Sequence, residues 1–236
     1  MASAPNESWK TAFRSLYYEA APPPDDPRLE RGKLGLLVID VQNVYLSRPD
    51  PAGLDTAARA HYDAWTPFHE RMHEVVLPSI QRLLARFRQG RHEILFARIA
   101  CQTHDGRDRS LSQKMPGWNN LLLPKDEWES QIPAVVAPQG DEIVLTKTTD
   151  SALTGTNLRL MLHNLGLSQI VCCGIFTDQC VSSTVRSLAD ESFSVILVED
   201  ACAAASDRLH RHELEIINRI YCHVMRSAEL LSYLPA

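Results

Sequence analysis

The sequence predicts an α/β fold: a single domain built on a doubly wound, mainly parallel sheet with helices on both faces. Short apolar runs of strand length alternate along the chain with segments of helical periodicity, and no hairpin signals join the strands. This alternation is typical of parallel strands joined by right-handed crossover helices. The length agrees, because 236 residues with 44% hydrophobic content suit one full-sized domain.

Five strands are predicted from short runs rich in leucine, isoleucine and valine. The first run, GLLVID, is apolar up to its final aspartate, as expected for a strand that is buried on both faces. The predicted strands are residues 35–40, 93–99, 142–147, 169–175 and 193–200.

Four helices are predicted between and after these strands. Apolar residues from Val75 to Phe87 recur at helical spacing, and Gly90 follows as a stop signal. Gly166 is expected to end a second helix. The predicted helices lie within residues 75–90, 156–165, 178–190 and 207–221, and the irregular stretch 100–140 is expected to form active-site loops.

The chain is predicted to consist of an N-terminal extension, residues 1–32, and one catalytic domain, residues 33–236. The extension holds a short amphipathic piece at 9–18 and three consecutive prolines at 22–24. Its aromatic residues are expected to dock on the core or on a neighbouring subunit rather than to take part in chemistry.

Composition excludes several classes of function. The net charge of −5 is spread without a basic block, so no nucleic-acid partner is expected. The longest apolar runs fall far short of the ~20 residues of a membrane-spanning helix. Because the N-terminus has no apolar signal core and the six cysteines form no disulfide framework, a cytoplasmic location is expected.

Three reactive side chains lie at or just after strand ends: Asp40, Lys147 and Cys180. In open parallel sheets, ligands bind beyond the carboxyl ends of the strands. Cys180 is also predicted in the first turn of a helix, where the helix dipole and a nearby ammonium would lower the thiol pKa. Taken singly, each residue has a structural alternative: a cap, a solvated lysine and a buried thiol. Their convergence favours nucleophilic catalysis.

Four ordered segments carry a family resemblance: LLVIDVQN, KTTDSALTGTNL, CGIFTDQCVSSTVRSLAD and VILVEDAC. In this order and at strand ends, they resemble the isochorismatase-like cysteine hydrolase superfamily. That superfamily includes nicotinamidase, N-carbamoylsarcosine amidohydrolase, ureidoacrylate amidohydrolase and biuret hydrolase. The resemblance covers residues 33–233, nearly everything except the extension.

The resemblance implies a role for each residue of the triad. Asp40 would be the general acid and base, Lys147 would stabilise the thiolate, and Cys180 would attack the carbonyl to form an acyl-enzyme. It also implies a cis peptide bond between Ile175 and Phe176. The backbone N–H groups of Phe176 and Cys180 would then form an oxyanion hole.

The resemblance further suggests substrate-binding residues. Tyr45 corresponds to an aromatic wall in relatives, with a packed loop aromatic as the alternative. Arg98 could pair with a substrate carboxylate, and Phe176 would present its ring near the reacting carbonyl. Nicotinamidases hold a metal with an Asp-x-His pair where this chain has Ala100 and Gln102. No metal and no other cofactor are therefore expected.

The predicted function is hydrolysis of a non-peptide C–N bond in a small amide, ureido or carbamoyl compound, with release of ammonia or an amine. Two alternatives remain open at this point. One is an isochorismatase-type ether hydrolase, which uses no cysteine at this position. The other is a non-catalytic binding module of the same fold. A homodimer or homotetramer is expected, because relatives form dimers or tetramers.

Overall fold

A computed structural model describes residues 8–235, so residues 1–7 of the predicted extension and residue 236 lie outside the described residues. The strands are β1 (Leu34–Ile39), β2 (Glu93–Ile99), β3 (Ile143–Lys147), β4 (Gln169–Ile175), β5 (Ser194–Ala203) and β6 (His223–Met225). They form one sheet in the order β3-β2-β1-β4-β5-β6, and every neighbouring pair is parallel. The predicted doubly wound α/β fold is confirmed.

The described helices are α1 (Asn43–Leu46), α2 (Thr56–Ala64), α3 (Thr66–Arg71), α4 (Leu77–Gly90), α5 (Leu158–Asn164), α6 (Ser182–Asp190), α7 (Asp207–Ile217) and α8 (Ser227–Tyr233). Two π-helical turns, Met72–Val76 and Thr177–Val181, lead into α4 and α6. Short 3₁₀ turns lie at Leu16–Tyr18, Pro51–Gly53, Trp128–Ser130 and Ala134–Val136. No helix within residues 8–235 is both long and apolar enough to cross a membrane.

The helices cover both faces of the sheet. The crossover from β1 to β2 runs in the opposite direction along the sheet from the crossovers β4–β5 and β5–β6. Because right-handed crossovers are the rule, α4 lies on one face, and α6 and α7 lie on the other. Helix α8 packs against α4, and α6 packs against α7. Burial is greatest in β1, every residue of which is inaccessible to solvent.

All five predicted strands are present: β2 and β4 have the predicted bounds, and β1, β3 and β5 have shifted ends. Two elements were not predicted near the C-terminus, strand β6 and helix α8, and three more were not predicted between residues 43 and 71. Helix α4 runs through Gly90, and the left-handed residue after it is Arg91, with φ of 53°. The expected stop at Gly90 is therefore displaced by one position.

The strand order reverses between β1 and β4, which is the point where doubly wound sheets open a crevice for ligands. Gly174 lets these two strands approach closely there. Its φ is 120°, and a Cβ at this position would lie 2.0 Å from the carbonyl oxygen of Ile39. Any side chain would force the two strands apart, so the close approach requires glycine.

The described part of the N-terminal extension packs on the C-terminal helix. Trp9 is buried, its backbone N–H donates to Glu229, and its indole N–H donates to the Tyr233 hydroxyl. The Trp9 ring also lies edge-on to His223, with 5.3 Å between ring centroids. By contrast, Tyr17 is exposed. One aromatic residue of the extension thus docks on the core, as expected, while another does not.

Candidate active site

The structure brings the three predicted reactive residues together at the carboxyl edge of the sheet. Asp40 follows β1 directly, Lys147 is the last residue of β3, and Cys180 lies in the π-helical turn after β4. The Lys147 Nζ atom is 2.7 Å from Asp40 Oδ2 and 3.3 Å from Cys180 Sγ. The lysine therefore bridges the carboxylate and the sulfur.

The Lys147 ammonium is fully engaged. Besides Asp40 and Cys180 it donates to the carbonyl oxygen of Thr149 at 3.0 Å, so each of its three protons has an acceptor. Burial lowers its pKa, but the Asp40 charge and the interactions with Cys180 outweigh this effect and raise the pKa above its usual value. The lysine is therefore a fixed positive charge and not a base.

The Asp40 carboxyl is prepared to accept a proton. Its backbone adopts a left-handed φ of 52°, uncommon for a residue other than glycine, and its N–H donates to the carbonyl oxygen of Ala97. Burial raises the pKa of the carboxyl, and the Lys147 charge lowers it by less. The net increase makes this carboxylate a stronger base than an exposed aspartate.

The Cys180 thiol differs from the sequence-based expectation. We expected the helix N-terminus and Lys147 to lower its pKa, and that direction is wrong. Burial raises the pKa well above its usual value, Asp40 raises it further, and Lys147 only partly opposes them. Burial therefore favours the neutral thiol over the thiolate beside the carboxylate–ammonium pair.

A second carboxylate, which the sequence did not single out, also lies beside the sulfur. The Cys180 thiol donates to Asp150 Oδ1 at 3.7 Å, and this charge contributes to the raised thiol pKa. Asp150 lies in the loop after β3, three residues beyond Lys147. Its position just after the end of β3 is the only feature of the sequence that could have identified Asp150 as a site residue.

The loop that carries the sulfur is held from behind. The peptide bond between Ile175 and Phe176 is cis. Thr177 is fully buried, and its hydroxyl lies 2.8 Å from Nδ1 of His210 on α7. The other ring nitrogen of His210, Nε2, lies 2.9 Å from an Arg71 Nη atom and 3.7 Å from a carboxylate oxygen of Glu199. The oxyanion role of Phe176 and Cys180 stays a prediction.

A cavity of about 550 Å³ opens beside the loop that carries Cys180. Its lining includes Phe176 and Gln179, the residue that precedes Cys180, but none of the three triad side chains. Five aromatic side chains form much of the wall: Tyr45, Tyr62, Trp65, Phe68 and Phe176. The Phe176 ring is central, with centroid distances of 5.1 Å to Phe68, 5.3 Å to Tyr45 and 6.0 Å to Trp65. The cavity suits a small, partly planar molecule.

The substrate-binding residues predicted from sequence have different positions. Tyr45 and Phe176 both line the cavity, next to each other. Arg98 does not line it, because its guanidinium points to the Gln131 side-chain oxygen at 2.7 Å and the Thr146 hydroxyl at 3.2 Å. Arg98 is thus occupied by protein partners, and the geometry does not support it as the ligand of a substrate carboxylate.

Most of the cavity wall was missed from sequence. Helix α2 supplies Tyr62, α3 supplies Phe68 and His69, and Trp65 lies between the two helices; the preceding loop supplies Arg48. One signal was available, since Tyr62, Trp65 and His69 recur at i, i+3 and i+7, which is the spacing of one helix face. Three prolines between residues 49 and 67 obscured that periodicity.

The stretch expected to lack a metal site follows β2. Ala100 is buried, whereas Gln102 is exposed and its backbone N–H donates to Asp108. Across residues 8–235, no group of three or more His, Cys, Asp or Glu side chains is arranged to hold a metal ion.

Fold and site together define a doubly wound α/β protein with a buried Asp–Lys–Cys cluster at the switch point of its sheet. Comparison with known proteins leads to a family with this fold. The family model described as the isochorismatase domain matches residues 35–229, and the chain belongs to this family of hydrolases.

Similar proteins include characterised and uncharacterised members. The chain is 37% identical over 105 residues to the uncharacterised isochorismatase family protein YecD of Escherichia coli O157:H7, which covers 44% of this chain and 53% of YecD. It is 28% identical over 182 residues to the ureidoacrylate amidohydrolase RutB of Pantoea ananatis, and this alignment covers 70% of this chain and 67% of RutB. The solved structure of a cysteine hydrolase from Pseudomonas syringae pv. phaseolicola 1448A matches with a TM-score of 0.74 at 21% identity, covering 90% of this chain and 97% of that one.

Proposed function

We propose that this protein is a cysteine hydrolase that cleaves a C–N bond in a small amide, ureido or carbamoyl compound through a thioester intermediate. One observation carries the proposal. The Cys180 sulfur lies 3.3 Å from a buried ammonium, which is itself 2.7 Å from the Asp40 carboxylate, beside an open cavity. The similarity to a ureidoacrylate amidohydrolase supports the amide class.

In the first half of the reaction the Cys180 sulfur attacks the substrate carbonyl carbon while its proton passes to Asp40. The raised pKa of Asp40 favours this transfer, because the carboxyl holds a proton more readily than an exposed aspartate does. The oxygen of the tetrahedral intermediate receives N–H donors from Phe176 and Cys180. The C–N bond then breaks, and the Asp40 proton leaves with the amine.

In the second half, water attacks the thioester carbonyl and gives a proton to Asp40. The C–S bond breaks, the carboxylic or carbamic acid leaves, and the proton returns to sulfur. Lys147 stays protonated throughout, and its fixed charge stabilises the sulfur whenever it is anionic. The site begins and ends with a thiol, a carboxylate and an ammonium.

A panel of amides, ureides and N-carbamoyl amino acids tests the proposal, assayed for ammonia release with the wild type and with Cys180→Ser. We expect release only from the wild type, and mass spectrometry of a quenched reaction should find the acyl group on Cys180. Cys222→Ser is a matched control, since Cys222 is an equally buried thiol away from the site. It should retain full activity.

The alternatives give different results. An ether hydrolase of the isochorismatase type would tolerate Cys180→Ser and release no ammonia. A binding module would release none from any compound, with either protein. Either result, obtained with folded protein, would contradict the cysteine amidohydrolase proposal.

A further inference from the structure

The cavity beside the cysteine loop carries one fixed charge. Of the described residues that line it, Arg48 is the only lysine, arginine, aspartate or glutamate. His69 also lines the cavity, but burial and the Arg48 charge lower its pKa to about 4, so it is neutral at physiological pH. A mainly aromatic cavity with a single guanidinium is electrostatically complementary to an anion.

The partners of Arg48 in the described structure are neutral. One Nη atom donates to the carbonyl oxygen of Tyr62 at 2.6 Å and to the hydroxyl of Thr66 at 2.9 Å. The guanidinium also stacks on the Tyr62 ring, 3.5 Å from its centroid. Within residues 8–235, no carboxylate lies within ion-pair distance of it, and its Nε and other Nη atom make no hydrogen bond.

Two nearby arginines differ from Arg48, because neither of them lines the cavity. Arg59 faces the same Tyr62 ring from 5.8 Å, but it pairs with Asp63 at 3.0 Å and does not line the cavity. Arg98, the arginine expected from sequence, is satisfied by Gln131 and Thr146. Arg48 is thus held in place by one nitrogen and by stacking, and its other two nitrogens are available to a ligand.

We propose that the substrate is an anionic amide or ureide, and that Arg48 binds its carboxylate while Tyr45, Trp65 and Phe176 enclose its apolar or planar part. The unbonded Nε and Nη atoms of the guanidinium can each donate a charge-assisted hydrogen bond to a carboxylate oxygen. Stacking on Tyr62 fixes the guanidinium before the ligand arrives, so little side-chain freedom is lost on binding. This inference rests on the proposed function and specifies its substrate class.

The test uses pairs of ureido compounds that differ only in a terminal carboxylate or its methyl ester. For Arg48→Gln we expect kcat/KM for the acid to fall about 10- to 100-fold, mostly through KM, since one charge-assisted contact is lost. The ester should change by less than about 2-fold, because it makes no charge-assisted contact. Arg59→Gln is the matched control and should leave both substrates unchanged, and Arg48→Lys should restore part of the loss.

A binding measurement separates this inference from the proposed function. Calorimetric titration of Cys180→Ala with the acid and the ester should show binding of the acid alone, and the added change Arg48→Gln should abolish it. If the wild type hydrolyses acid and ester equally, or Arg48→Gln weakens both equally, the inference is overturned while the hydrolase proposal stands. If no compound is hydrolysed but the acid binds through Arg48, the proposed chemistry fails and the anion site stands.

Discussion

Two carboxylates buried in this protein, Asp40 and Glu199, face opposite electrostatic surroundings. Asp40 is at the end of β1 with Lys147 as its one cation. Glu199 lies in β5, where Arg226 is 2.9 Å from one oxygen, and Arg71 and His210 are within 3.7 Å of the other. Burial raises the pKa of both, yet that of Asp40 is raised overall, whereas His210, Arg71 and Arg226 lower that of Glu199 below its usual range.

This difference separates a carboxylate that can move a proton from one that holds a permanent charge. Protonating Asp40 relieves part of its burial cost, so a proton passes to it readily. Protonating Glu199 would give up its attraction to the cationic groups around it, so ionisation is favoured. The buried charge of Glu199 therefore organises the structure, and that of Asp40 is available for chemistry.

The largest expected effect comes from removing the proton acceptor. Asp40→Asn should lower kcat/KM by about 10²- to 10⁴-fold, the usual contribution of a general acid–base group, with the fold retained by circular dichroism. Asp150→Asn is the matched control, since it removes the other carboxylate beside the sulfur. Equal losses in the two variants would show that Asp40 is not the specific acceptor.

The dependence of kcat/KM on pH also tests the role of Asp40. Asp40 must be ionised in the free enzyme, and burial raises its pKa above the ordinary 3.8. Activity should therefore fall as the pH decreases through that raised value, and the acid limb of kcat/KM should lie above pH 3.8. An acid limb at or below pH 3.8 would contradict the assignment of Asp40 as the base.

Glu199→Gln should affect stability rather than chemistry. Removing this buried negative charge from beside Arg71 should lower the free energy of unfolding by about 3 kcal/mol at neutral pH, measured by urea denaturation. The folded pKa of Glu199 lies below its unfolded value of 4.5, so its contribution is complete above that pH and is lost as the pH falls through the folded pKa. The difference between the two proteins should therefore shrink in acid, and a constant difference would contradict this account.

The smallest expected effect comes from the contact between Thr177 and His210, which connects the cysteine loop to the surroundings of Glu199. Thr177→Val removes the hydroxyl that links the cysteine loop to His210, which should lower kcat several-fold and the unfolding free energy by about 1 kcal/mol. Thr177→Ser keeps the hydroxyl and should behave like the wild type. If the valine variant is also unchanged, the bond to His210 does not position the loop.

The sequence was sufficient for the central sheet and for the convergence of Asp40, Lys147 and Cys180. Long apolar runs report buried strands, and the carboxyl ends of parallel strands necessarily meet at one edge. Strand β6, of three residues, is too short for such a signal. The cavity wall from α2 and α3 was missed because prolines interrupt it and most of α2 is exposed.

Properties that depend on tertiary surroundings were less predictable. The direction of the Cys180 pKa shift follows from burial, which a local motif does not report. The sequence pointed to Arg98, whereas the structure places Arg48 at the cavity, and the reason is similar. Both arginines occur near predicted site residues in the sequence, and only their packing decides which one faces the cavity.

The tight approach of β1 and β4 at Gly174 has a consequence for engineering. Because the spacing between the base and the nucleophile is set by two central strands with no room between them, the reaction geometry is insulated from changes elsewhere. Most of the cavity wall comes from a separate segment, residues 44–69, and Phe176 and Gln179 of the cysteine loop also belong to it. New selectivity can therefore be sought by randomising this peripheral segment while the catalytic centre is left untouched.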